Sequence, residues 1–190
     1  MTLDSNSPNL PNHRLVTLLS AVAIATTAGL AVPSPARAED EYPIYSPWSH
    51  QCLQPVDEST EQGAAIVQQP CAGKAGTPPI QNWIRIPVSG NIFHLKNSKS
   101  GLCLDARGGA ADGTPVQQWT CNSISNENWE FGKPTGPGTN PPLISRVSGT
   151  SSHCLDMPRA DQTPGLAMQI YRCNGTVAQQ WWYGPGVNPD

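Results

Sequence analysis

The chain has 190 residues with 11 basic and 14 acidic side chains, a formal net charge of −3, 20 prolines, 17 glycines and six cysteines. With this mild acidity and no basic run, nucleic acid and anionic lipid are poor candidates as partners. The length is enough for one domain with a substantial core.

Near the N-terminus, Leu15 to Val32 is an uncharged, mostly apolar run preceded by His13 and Arg14. Pro33 and Pro35 end any helix there, and Ala36-Arg37-Ala38 is a small-x-small cleavage signal ahead of Glu39. Together these features predict a secretory signal peptide over residues 1–38. A retained membrane anchor is the rival, since the run is about long enough to span a bilayer. Its richness in Ala and Thr, and the cleavage signal that follows, favour removal. Nothing further along the chain predicts membrane insertion. The expected product is a secreted chain from Glu39 to Asp190, with nine basic and thirteen acidic residues.

All six cysteines lie beyond that point, and an even count in an exported chain reads as disulfides. Composition alone leaves the pairing open; an internal repeat closes it. Cys52, Cys103 and Cys154 follow one another at 51-residue intervals, and Cys71, Cys121 and Cys173 trail them by 19, 18 and 19 residues. Each first cysteine is followed by Leu53, Leu104 or Leu155, and in two copies then by Asp105 or Asp156. Trp129 and Trp181 stand eight residues past the second cysteines and Trp83 twelve, so the first copy carries about four extra residues around Thr77-Pro78-Pro79. Gln81, Glu127 and Gln179 lie two residues before those tryptophans. The register predicts the bridges Cys52–Cys71, Cys103–Cys121 and Cys154–Cys173. Closing each loop is worth about 3 kcal/mol.

Within the copies no stretch sustains a helical apolar period. Short runs such as Ile92-Phe93-His94-Leu95, Leu102-Cys103-Leu104, Val116-Gln117-Gln118-Trp119 and Met168-Gln169-Ile170-Tyr171 alternate with turn clusters such as Gly108-Gly109, Asp112-Gly113 and Asn174-Gly175. Many short strands in three equal units predict a closed all-β architecture with pseudo-threefold symmetry.

Gln81-Asn82-Trp83, Glu127-Asn128-Trp129 and Gln179-Gln180-Trp181, in register with the three cysteine pairs, resemble the Q-x-W signatures of the ricin B-chain-like lectins, also described as family-13 carbohydrate-binding modules. The Cys-Leu-Asp segments at Cys103 and Cys154, and the run Gly113 to Cys121, fit as well. The resemblance implies a single β-trefoil over residues 45–185, with a short N-terminal segment 39–44 before it and a tail 186–190 after it. It also implies a shallow sugar pocket in each unit. An Asp after Cys-Leu, a Gln and an aromatic just before the second cysteine, and an Asn-Gln pair before the tryptophan would line it. A pyranose lays a C–H face on a ring, while carboxylate and amides meet its hydroxyls.

In the second copy this set is Asp105, Gln117, Trp119, Asn126 and Glu127, with Glu127 where the family has Gln. In the third it is Asp156, Gln169, Tyr171 and Gln179, with Ala178 replacing the Asn. The first copy has Gln54, Val67, Gln69 and Ile80 at these places and is expected to be structural only. Sugar binding should therefore be strongest in the second unit and weaker in the third. Trp83, Trp129 and Trp181 are expected in the shared core. Asp105 and Asp156 could otherwise be turn residues capping local backbone, and Trp119 and Tyr171 could simply pack between units.

An enzyme is disfavoured. Asp105 and Glu127 could approach one pocket as a glycosidase pair would, but Asp105 already has a binding role. The histidines lack a nucleophile context, and the cysteines belong to bridges rather than zinc. The expectation is a monomeric lectin with no cofactor, no metal and no catalytic residue, recognising galactose-like or xylan-type sugars on glycans or polysaccharides. The alternative is a toxin-associated or protein-binding trefoil whose sugar sites are dispensable, because one fold hosts many functions.

Overall fold

The computed structural model describes residues 40–72, 78–149 and 151–185. The expected signal peptide and C-terminal tail lie outside the described residues.

The short alternating runs form short strands. In Cys103-Leu104-Asp105-Ala106 the pleat turns Leu104 into the core and sets Cys103 and Asp105 on the opposite face. Twelve strands are described, four to a unit. The first unit holds β1 (Glu41–Ser46), β2 (Gln51–Pro55), β3 (Ile66–Pro70) and β4 (Asn82–Ser89). The second holds β5 (Ile92–Asn97), β6 (Cys103–Ala106), β7 (Thr114–Trp119) and β8 (Trp129–Phe131). The third holds β9 (Leu143–Ser145), β10 (His153–Asp156), β11 (Gln169–Arg172) and β12 (Trp182–Tyr183).

The first and fourth strands of the units build a six-stranded barrel. β1 pairs β4, β4 pairs β5, β5 pairs β8, β8 pairs β9, and β12 returns to β1. A bridge between Pro142 and Gln180 closes the remaining gap. The middle strands form the hairpins β2–β3, β6–β7 and β10–β11, which meet through Ala65 with Gln117, Thr114 with Ile170, and Val67 with Ala167. This is a β-trefoil. All three expected disulfides are present, each within one unit.

Trp83, Trp129 and Trp181 are fully buried, each removing about 200 Å² from water. Their indole N–H groups donate to the carbonyls of Leu53, Leu104 and Leu155 at 3.2, 2.9 and 2.9 Å, so each joins its unit's hairpin to the barrel. The hairpin turns need a left-handed residue just before β3, β7 and β11. Gly63, Gly113 and Gly165 supply it at φ +85°, +85° and +86°.

One boundary is corrected. β1 begins at Glu41, and Glu41, Tyr42 and Pro43 pair with Ile84, Trp83 and Asn82. The stretch 39–44 set before the domain is thus mostly its first barrel strand. The repeat marks begin with the hairpin, one strand later, so they could not show it. Among the described residues no helix is long and apolar enough to cross a membrane.

Candidate functional site

In the third unit the β10–β11 register sets Asp156 opposite Gln169 and Cys154 opposite Tyr171, on one outer face. Gln169 Nε2 donates to Asp156 Oδ1 at 2.8 Å, and Gln179 Nε2 donates to Oδ2 at 3.0 Å. Gln179 Nε2 also reaches the Arg172 carbonyl at 3.1 Å, while its Oε1 accepts the Asn174 N–H at 2.9 Å. The Gln179 side chain is therefore buried and wholly committed, fixing the aspartate and the hairpin end. Beside it opens a cavity of about 470 Å³, with Asp156 and Gln169 on one side and the 3₁₀ turn Pro158–Ala160 on another. Tyr171 flanks the cavity and is 39 % exposed. Arg159 and Ala160 hold φ of 60° and 54°, each at a cost of about 1 kcal/mol.

The cavity also has lining residues outside the sequence-predicted site set. Asn174 and Thr176 line it, and Asn174 Oδ1 accepts the Thr176 N–H and hydroxyl at 3.1 and 2.8 Å. The Asn174 side-chain N–H groups have no partner among the described residues. Asn174-Gly175 reads as a turn in sequence, and nothing local marks it as facing a cavity.

The second unit repeats the arrangement with one change. Asp105 lies opposite Gln117, and Cys103 opposite Trp119. Gln117 Nε2 donates to Asp105 Oδ1 at 2.8 Å. Trp119 is half-buried, with its ring over Gly63 of the first unit. Asn126 is half-buried, and its amide bonds to no described residue. Glu127 is fully buried; its carboxylate accepts the N–H of Asn122 at 3.1 and 3.2 Å and that of Ser123 at 3.1 Å. A carboxylate has no N–H to give. Asp105 Oδ2 thus lacks the donor that Gln179 gives Asp156, and no described residue replaces it.

Burial raises the pKa of Asp105, against a smaller opposite pull from the Gln117 hydrogen bond. Burial likewise raises that of Glu127. The backbone N–H groups of Asn122 and Ser123 and the charge of His94 oppose the rise, and the charge of Asp105 adds to it.

In the first unit Gln81 Nε2 donates to Gln54 Oε1 at 2.8 Å and to the Pro70 carbonyl at 3.1 Å, and its Oε1 accepts the Ala72 N–H at 3.3 Å. The internal scaffold is intact, but Val67 is a buried apolar residue where the other units carry Gln117 and Gln169, and Ile80 is one where the second unit carries Asn126. His94, Cys103 and Glu127 bring ligand-type atoms within 4.8 Å of one another. The Cys103 sulfur is bridged to Cys121 and offers no thiolate, which leaves two donors, too few for a zinc centre.

The family model of the ricin-type β-trefoil lectin domain matches residues 40–181. Among solved structures, a designed threefold-symmetric protein, ThreeFoil, is 25 % identical with a TM-score of 0.66, over 75 % of this chain and 96 % of that one. A Macrolepiota procera ricin B-like lectin, solved in complex with lactose, is 18 % identical with a TM-score of 0.63, over 79 % and 98 % of the two chains. A 41-residue segment is 42 % identical to serine protease 1 of Rarobacter faecitabidus. That segment is 22 % of this chain and only 8 % of the protease.

Proposed function

Because this chain belongs to the ricin-type β-trefoil lectin family, we propose that it is a secreted, non-catalytic, metal-independent protein that binds galactose-like or xylan-type sugars. The observation that carries the reading is the third-unit cavity, where a buried, oriented carboxylate stands beside a half-exposed aromatic ring. Asp156 accepts hydroxyl protons, Tyr171 carries the C–H face of the ring, and Gln169 offers its free carbonyl oxygen. Asn174 supplies amide donors on the same cavity, where Ala178 has none to give. Gln179 positions Asp156 rather than touching sugar.

The second unit is the other site, through Asp105, Gln117, Trp119 and Asn126, with Glu127 behind them. Its residue set is fuller in sequence, yet the committed scaffold and the cavity favour the third unit as the stronger one. The complex of the Macrolepiota procera lectin with lactose supports a galactose-like ligand. Three disulfides support an oxidising, extracellular setting.

A single open site of this kind holds a monosaccharide at about millimolar affinity. Two sites on one chain gain by engaging the same polysaccharide. The test is glycan-array and calorimetric binding by the purified chain. Asp156→Ala and Tyr171→Ala should each weaken binding at least about tenfold, more than Asp105→Ala does. Binding unchanged by the third-unit variants would refute the assignment, and a chain that binds no saccharide would refute the function.

A further inference from the structure

A second aromatic surface adjoins the third-unit cavity. Trp48 lies in the turn between β1 and β2, is 43 % exposed and takes no part in the core. Its indole N–H donates to the Ala160 carbonyl at 3.1 Å, in the 3₁₀ turn that walls the cavity. The reach belongs to the fold. Trp48 stands four residues before the first cysteine of its unit, as Lys99 does in the second. Lys99 Nζ likewise crosses to the neighbouring unit, pairing with Glu58 at 3.0 Å in the turn Val56–Glu58. A side chain here therefore overlies the site-wall turn of the adjacent unit, and the indole hydrogen bond holds this one in place.

Beside the Trp48 ring is a smaller cavity of about 130 Å³, lined also by Asn140, Val177 and Gln180. Val177 belongs to the 3₁₀ turn Val177–Gln179, whose Ala178 lines the first cavity. Gln180 Oε1 accepts the Asn140 backbone N–H at 3.3 Å, and among the described residues neither side-chain amide donates its own N–H groups. A fixed ring beside free amide donors repeats the chemistry of Tyr171 beside Asn174.

We infer that Trp48 is a second stacking platform, so that the third-unit site takes an oligosaccharide, with one sugar ring at Asp156 and Tyr171 and a linked ring against Trp48. The inference rests on the carbohydrate reading above and names the ligand class of that same site.

The test is calorimetric titration of the full chain with xylose and xylotetraose, and with galactose and a galactan tetrasaccharide. The parent should bind the preferred tetrasaccharide about tenfold more tightly than its monosaccharide. Trp48→Ala should abolish that gain and leave monosaccharide binding unchanged, Trp48→Phe should keep most of it, and Tyr171→Ala should weaken both ligands. If Trp48→Ala binds the tetrasaccharide as the parent does, the platform is refuted while the lectin reading stands. If it weakens both ligands alike, the indole only props the 158–160 turn and the platform is again refuted. A parent that binds none of the four sugars overturns the lectin reading and this inference together.

Discussion

Glu127 differs from Gln81 and Gln179 only in carrying an oxygen where they carry an amide nitrogen. That exchange removes the donor to the neighbouring acid and buries two carboxyls side by side. Both pKa values move upward, burial being the first cause. The sign follows. Stability from the protonated forms is fully present below the ordinary carboxylate range and is lost as pH rises through the raised values. The N–H groups of Asn122 and Ser123, and after them His94, whose Nε2 lies 2.9 Å from Asn128 Oδ1, favour charged Glu127. Glu127→Gln should restore the donor to Asp105 and raise unfolding free energy at neutral pH by about 2 kcal/mol. Urea unfolding at about pH 7 and about pH 4 checks it. The advantage should shrink at the acid end; an equal gain at both would rule out a proton-dependent penalty.

At the scale of elements, the hairpins are tied across units by buried glutamines. Gln68 Nε2 on β3 donates to the carbonyls of Asp161 and Thr163 at 2.9 and 3.0 Å. Gln118 Nε2 on β7 does the same for Ser59 and Glu61, both at 2.9 Å. On β11 the corresponding residue is Ile170, which has no donor. The junction of the second and third units relies instead on Asp112, which accepts the Arg172 N–H at 2.8 Å and lies 3.3 Å from His153 Nε2. Gln68→Ala should strand two carbonyls and cost about 2 kcal/mol. It should also loosen the turn that follows Ala160 and so weaken tetrasaccharide binding. Denaturant midpoints and the same titrations would detect both effects, and an unchanged midpoint would show that the tie contributes nothing.

At the scale of the molecule, each disulfide closes a loop inside one unit and none joins two units. The units are joined by the barrel pairings β4–β5, β8–β9 and β12–β1 and by the core that Trp83, Trp129 and Trp181 share. Replacing Cys103 and Cys121 together by alanine should therefore lower stability by about 3 kcal/mol. The chain should still unfold in one transition, because no unit has a core of its own. Calorimetry reads this directly. Two separated transitions would mean that the units fold independently.

The sequence by itself determined the repeat, the three bridges and a threefold all-β plan, and its Q-x-W motifs carried the resemblance that implied the trefoil and the core tryptophans. Each of these is local or periodic: Cys103 to Cys121, Leu104 to Trp129 and their counterparts recur at nearly fixed spacing. Asp156, Gln169 and Tyr171, grouped by that resemblance, share one hairpin face in the structure. The repeat marks start too late to show β1, which pairs with β2, β4 and β12. Contacts that cross units were equally silent, because Trp48 and Ala160 are 112 residues apart and meet only when the barrel closes. The committed state of Gln179 and the opening beside Asn174 were also decided by tertiary structure. Hydrogen-bond satisfaction and free volume belong to the packed chain, and no spacing of residue types records them.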